Sequence, residues 1–150
     1  MKEMTNYYYE TGSFMDVEPE EDPFYGKPKP SKIGQGYYAL KPLAFLIDNP
    51  CSIPIIIQGG KAKAKLEVNI VPCDSTGDPD GISEEMFTDN PDDLKGHRLD
   101  FIVEISHATD VPQDACKDLF VQYQFYLEDQ VHTTQVIQGN NSSPVFNYRK

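Results

Sequence analysis

The sequence predicts a mainly β fold: an antiparallel β-sandwich with one or two short helical turns and an extended N-terminal tail. Three observations predict it. Apolar and polar residues alternate at period two in three segments, the mark of strands with one buried face. These are Leu66, Val68 and Ile70; Leu99, Phe101, Val103 and Ile105; and Leu119, Val121, Tyr123, Phe125 and Leu127. The other apolar runs are too short for core helices. Clusters of glycine, proline, asparagine and aspartate divide the segments at near-regular spacing, as in all-β sandwiches.

Residues 1–35 are dominated by charge, glycine and proline, and Lys27-Pro28-Lys29-Pro30 cannot hydrogen-bond as a helix or central strand. They read as an acidic, proline-rich linker or docking strap. Tyr7, Tyr8, Tyr9, Phe14, Phe24 and Tyr25 make this stretch too aromatic for a purely solvated linker. Residues 36–150 form the β-rich region. Its first apolar runs, 37–40, 42–47 and 53–57, read as strands separated by proline turns. Gln58-Gly59-Gly60 suits a hairpin turn, since paired glycines accept positive φ, and residues 62–71 form the partner strand.

Residues 74–81 form a turn-rich loop, after which Ser83 is placed to cap a short helix over 84–87. A second helical turn has Asn90 as N-cap, Pro91 at its first position, Asp92 and Asp93 at the positive end of its dipole, and Gly96 at its close. Strands are expected over 99–106, 119–127 and 132–137. A polar turn over 139–143 then leads to a last strand from Pro144. A strand that begins as the sequence stops leads to the expectation that the sandwich continues downstream.

At 150 residues and 39% hydrophobic content the chain suits one domain with a tail. No apolar run approaches the roughly 18 to 20 residues of a membrane span, and the N-terminus lacks an apolar signal core. Cys51, Cys73 and Cys116 are odd in number, widely spaced and without a C-x-x-C pair, which suits reduced structural thiols in the cytosol. The net charge of −11 repels nucleic acid and anionic lipid, so proteins are the expected partners. Acidity concentrates at 16–22 and 74–93, while 27–65 is locally basic.

No catalytic residue and no cofactor are expected in this segment. Gly34-Gln35-Gly36 and Gly59-Gly60-Lys61 are too short to wrap phosphates and lack a lysine-serine ending. Asp110, Asp114 and Asp118 share a loop, but turn formation explains them better than calcium, which needs roughly six to eight oxygens. Cys116 with His107, Asp110 and His132 matches no nucleophile spacing. Lys61, Lys63 and Lys65, with Lys27, Lys29 and Lys32, are a candidate patch for acidic protein tails or phosphoinositides. An edge strand blunted with lysines is the favoured alternative. Tyr7, Tyr8, Tyr9, Phe24 and Tyr25 suit docking to a neighbour or packing within the chain equally well.

Residues 99–148 resemble the first half of a C2 domain. Asp100-Phe101-Ile102-Val103-Glu104-Ile105, Ala108-Thr109-Asp110-Val111-Pro112, Lys117-Asp118-Leu119-Phe120-Val121 and Ser143-Pro144-Val145-Phe146-Asn147 follow that family's order. The earlier chain resembles the region of kinesin-3 family motors between a tail coiled coil and their C2-like part. The motifs are DPFY at 22–25, LKPLAFLID at 40–48, LEVNIVPCDSTG at 66–77 and TDNPDDLKGHRLDF at 88–101. Tyr25 stands where tryptophan is usual and His97 where lysine is common, as in a divergent member.

The resemblance implies a non-motor tail segment of an ATP-driven microtubule motor, cytoplasmic and cytoskeleton-associated. Its implied roles are cargo attachment, dimer organisation or autoinhibition. The implied partners are a cargo adaptor, the parent's own motor or coiled coil, or a second copy. The alternative is a C2-type lipid- or calcium-binding module of a trafficking or ciliary scaffold, with membrane lipid the weaker partner.

Overall fold

The structure, a computed structural model, describes residues 2–12, 30–57 and 64–150. The chain divides into two compact units, Met1–Lys32 and Ile33–Lys150. In the first, residues Lys2–Thr11 form an α-helix, α1, where an extended tail was expected. Those ten residues contain neither glycine nor proline; the breakers that argued against a helix begin at Gly12. Gly12 ends it at φ 68°, with its N–H donating to the Tyr8 carbonyl at 2.8 Å.

The second unit is mainly β. Its described strands are β1 (Gly34–Gln35), β2 (Cys51–Pro54), β3 (Ile56–Ile57), β4 (Lys65–Cys73), β5 (Asp100–Thr109), β6 (Lys117–Leu119), β7 (Gln122–Gln124), β8 (Val131–Thr133), β9 (Ile137–Asn140) and β10 (Val145–Arg149). A four-stranded antiparallel sheet has the order β10-β5-β4-β2, and β1–β3, β6–β9 and β7–β8 form two-stranded ladders. Leu43, Ile53, Val68, Ile70, Val103, Ile105, Ala108, Val111, Cys116, Leu119 and Phe146 form one buried core. Val121, Tyr123, Phe125 and Ile137 pack on it from the small ladders, giving a sandwich-like arrangement that does not close into a barrel.

The alternation read over 66–70 holds, with Val68 and Ile70 buried and Lys65 exposed. In β5, Val103 and Ile105 enter the core, but a bulge in β5 between Ile105 and Ala108, opposite Leu66 and Val68, shifts the register so that Ala108 turns inward. Ile102 is buried on the opposite face. The Asn90 cap forms as expected, its side chain accepting the Asp92 N–H at 3.2 Å, while Ser83 makes no side-chain cap bond. The Gln58-Gly59-Gly60 turn and Ala62 lie outside the described residues.

Five strand expectations are corrected. Residues 53–57 divide between β2 and β3, in different sheets, at Ile55, whose N–H donates to the Ala64 carbonyl at 2.8 Å. Residues 42–47 form a 3₁₀ turn over Lys41–Phe45: Pro42 brings no N–H to a ladder, and Leu46 caps the turn at φ 54° with Leu43 and Leu46 buried. Residues 37–40 are irregular, and the Tyr38 hydroxyl donates to the Asn49 carbonyl. The strand expected over 119–127 breaks into β6 and β7, leaving Leu127 81% exposed. The strand over 132–137 also splits, because Thr134 is drawn inward. Its N–H donates to the Val121 carbonyl at 2.9 Å and its hydroxyl accepts the Val121 N–H at 3.0 Å. The polar turn is shorter than expected, since β9 continues through Asn140.

Two substitutions test this packing by denaturant titration. Ile105→Ala, at a site 2% exposed, is expected to destabilise the domain by about 2–5 kcal/mol. At Gly34 a Cβ would meet Ile55 Cγ2 at 2.6 Å and the Ile56 carbonyl oxygen at 2.8 Å. Gly34→Ala is expected to cost about 1–3 kcal/mol by pushing β1 from β3.

Candidate interaction surface

The β7–β8 hairpin pairs Gln122 with Thr133, Tyr123 with His132 and Gln124 with Val131. Residues 125–130 connect them. Phe125 stays half-buried with its ring 5.9 Å from Phe101, anchoring the start of the connection to β5. The Glu128 N–H donates to the Phe125 carbonyl at 3.0 Å, and the Gln124 side-chain amide donates to the Glu128 carbonyl. Closing so tight a turn forces Tyr126 to φ 46°. For a bulky L-residue this left-handed conformation costs about 1–2 kcal/mol. Tyr126 and Leu127 consequently project into solvent, 72% and 81% exposed, beside Glu128 and Asp129.

Beneath this tip lies a polar and aromatic cluster. The His132 ring lies 5.0 Å from that of Tyr123, with Nε2 3.1 Å from a Glu128 carboxylate oxygen and Nδ1 2.9 Å from the Lys150 ammonium. The Tyr123 and Tyr148 hydroxyls are 3.5 Å apart. Burial, and then the hydrogen bond to Tyr148, push the Tyr123 phenol well above its ordinary pKa.

A second feature is a cleft of about 300 Å³ lined by Phe45, Ile47, Phe87, Thr88 and Asp89. It offers little chemistry, because the Thr88 hydroxyl is engaged with the Asp93 carboxylate at 2.9 Å.

The residues expected to form an interaction site are described only in part. Tyr7, Tyr8 and Tyr9 lie on α1, with Tyr9 the most exposed. Consecutive helical residues point about 100° apart, so the three do not share one face. Phe24, Tyr25, Lys61 and Lys63 lie outside the described residues, as do Lys27 and Lys29. Lys65 is exposed, but β4 is flanked by β2 and β5, which corrects the edge-strand reading for this position.

The acidic residues have structural tasks. Asp118 accepts the Gly139 N–H at 2.8 Å, and Asp110 and Asp118 both adopt positive φ, at 56° and 52°. Among the described residues, no three His, Cys, Asp or Glu side chains converge as metal ligands. Cys116 is buried, its thiol directed to the Gln113 carbonyl at 3.2 Å, whereas His132 is engaged by Glu128 and Lys150. Burial, followed by Asp100 and Asp74, raises the Cys73 thiol above its ordinary pKa.

The sequence reading missed the tip because Leu127 continued the period-two pattern. The polar run Glu128-Asp129-Gln130 was the available sign of a hairpin turn there. No protein-family model matches the chain, and no curated protein matches it.

Asp74 supplies a pH prediction. Its carboxylate accepts the Asp78 N–H at 2.9 Å, the Thr76 hydroxyl at 2.7 Å and the Thr76 N–H at 2.8 Å. The Asp78 N–H foremost, then the Thr76 hydroxyl, lower its pKa below the ordinary carboxylate value. A depressed folded pKa means stabilisation that is fully present above the unfolded value of about 3.9 and lost as pH falls through the lower folded value. The Thr76 and Asp78 amides are therefore expected to keep their protection in NMR exchange down to about pH 4 and lose it below. Asp74→Ala should remove that protection at every pH.

Proposed function

We propose that this chain is a non-catalytic tail segment of a kinesin-3-like microtubule motor that works through protein contacts in cargo attachment, dimer organisation or autoinhibition. The motor assignment rests on the ordered motifs, whose described parts build the centre of the domain. Residues 40–48 contain the Lys41–Phe45 turn, 66–77 form β4 and the Asp74 turn, and 88–101 form the Asn90-capped turn and the entry to β5.

The single observation carrying the interaction reading is the strained tip bearing exposed Tyr126 and Leu127. Exposed aromatic and aliphatic anchors on a braced hairpin suit burial at the centre of a protein interface. Glu128 and Asp129 beside them, on a chain of net charge −11, select the occupant: an apolar protein pocket rimmed by lysine or arginine. The same carboxylates disfavour an anionic membrane, and no observation favours the C2-type lipid or calcium alternative.

The test fuses the chain to an active kinesin-3 motor fragment and measures microtubule-stimulated ATPase activity and organelle redistribution in cells. Lowered ATPase activity or organelle accumulation at microtubule ends, either one lost on Tyr126→Ser with Leu127→Ser, is expected. A fusion that changes neither readout, or effects that survive the double substitution, would overturn the proposal. Calcium-dependent pelleting with phosphatidylserine vesicles would instead favour the C2-type alternative. Tyr126→Gly separates strain from binding: stability in thermal melts should be unchanged or rise by up to about 1 kcal/mol, while the fusion's effect is lost.

A further inference from the structure

We propose that His132 is a proton-operated latch joining the β7–β8 hairpin to the end of β10. The inference rests on local geometry and stands whether or not the tip takes the partner proposed above. The His132 side chain is only 10% exposed, and both ring nitrogens are engaged. An ammonium group can only donate, so Lys150 Nζ, 2.9 Å away, makes Nδ1 the acceptor. The ring proton then sits on Nε2 and is donated to Glu128 at 3.1 Å. The arrangement therefore holds a neutral imidazole in one tautomer.

The groups around the ring come from each element packed on it. Tyr123 of β7 contributes its ring face, Glu128 of the hairpin connection a carboxylate, and Lys150, just after β10, an ammonium. Tyr148 of β10 reaches the cluster through the Tyr123 hydroxyl, while the neighbouring Arg149 is committed to Glu104 at 3.3 Å. A proton taken from solvent can enter the ring only at Nδ1. It removes the acceptor used by Lys150 and sets imidazolium against ammonium, while turning the Glu128 contact into an ion pair.

Acidification thus tightens the His132–Glu128 contact and expels the Lys150 side chain. The expulsion acts on the sheet because Lys150 also supplies its last rung. The Val103 N–H donates to the Lys150 carbonyl at 2.7 Å, and the Lys150 N–H donates to Val103 at 3.0 Å. Protonation loosens this rung while holding the base of the Tyr126 and Leu127 tip more firmly.

Two NMR measurements on the full chain test the latch. The imidazole nitrogen spectrum at neutral pH is expected to show His132 with a protonated Nε2 and a bare Nδ1. Protection of the Val103 amide, corrected for intrinsic exchange, is expected to be about tenfold lower when the nitrogen spectrum shows His132 protonated than when it shows it neutral. It should not depend on pH in Lys150→Met or His132→Gln; the former substitution removes the ammonium at Nδ1 and keeps the aliphatic stem. A Nδ1-protonated tautomer at neutral pH, pH-independent Val103 protection in the native chain, or an equal loss in Lys150→Met would each overturn the proposal.

Discussion

The pairing of β4 with β5 is the constraint on which the rest of the domain depends. Their ladder runs from Lys65 opposite Thr109 to Cys73 opposite Asp100, and β2 and β10 each gain a place in the sheet by pairing with one of them. Val68, Ile70, Val103 and Ile105 project from these two strands into the core. On the opposite face the same register aligns a polar rung. The Asn69 amide donates to Glu104 at 3.3 Å, and Glu104 meets Arg149 at 3.3 Å. Asn69 Oδ1 is the buried side-chain polar atom among the described residues that lacks a hydrogen bond. The flipped amide would aim that oxygen at the Glu104 carboxylate, a worse arrangement than an unfilled acceptor.

Strain is distributed unevenly over this frame. Leu46, Asp110, Asp118, Tyr126 and Asn147 are described non-glycine residues at positive φ. Asparagine and aspartate accept the left-handed region at little cost, which accounts for three of them. Leu46 offsets its cost by burial and by closing the Lys41–Phe45 turn. Tyr126 has no such offset, since its side chain lies in solvent. Its conformation is held by neighbours: Phe125 against Phe101, Gln124 on the Glu128 carbonyl, and Glu128 on His132. An unrelieved strain that presents apolar side chains to water is the physical basis for reading the tip as a contact site.

Much of the frame was legible locally. Strict alternation identified β4 and the inward residues Val103 and Ile105, and asparagine followed by proline and two aspartates identified the capped turn at Pro91–Leu94. Two of the errors share a cause. Residues 42–47 and Leu127 are apolar enough for strands, but hydrophobicity does not reveal where a chain runs out of hydrogen-bonding partners. Pro42 has no N–H to offer, and beyond Gln124 the chain turns back to pair Val131. The helix over Lys2–Thr11 was hidden by judging a whole tail by its proline-rich half.

The sequence by itself determined the mainly β class, the central strands and the carboxylate-built turns, because period-two patterning and side-chain capping act over a few neighbouring residues. The tertiary structure decided which strands became neighbours, that a bulge in β5 opposite Leu66 sent Ala108 inward, and that Tyr126 and Leu127 stand outside the core. It also brought Lys150 to His132, 18 residues away in the chain. Contacts of that kind depend on strand order and register, and no local pattern encodes them.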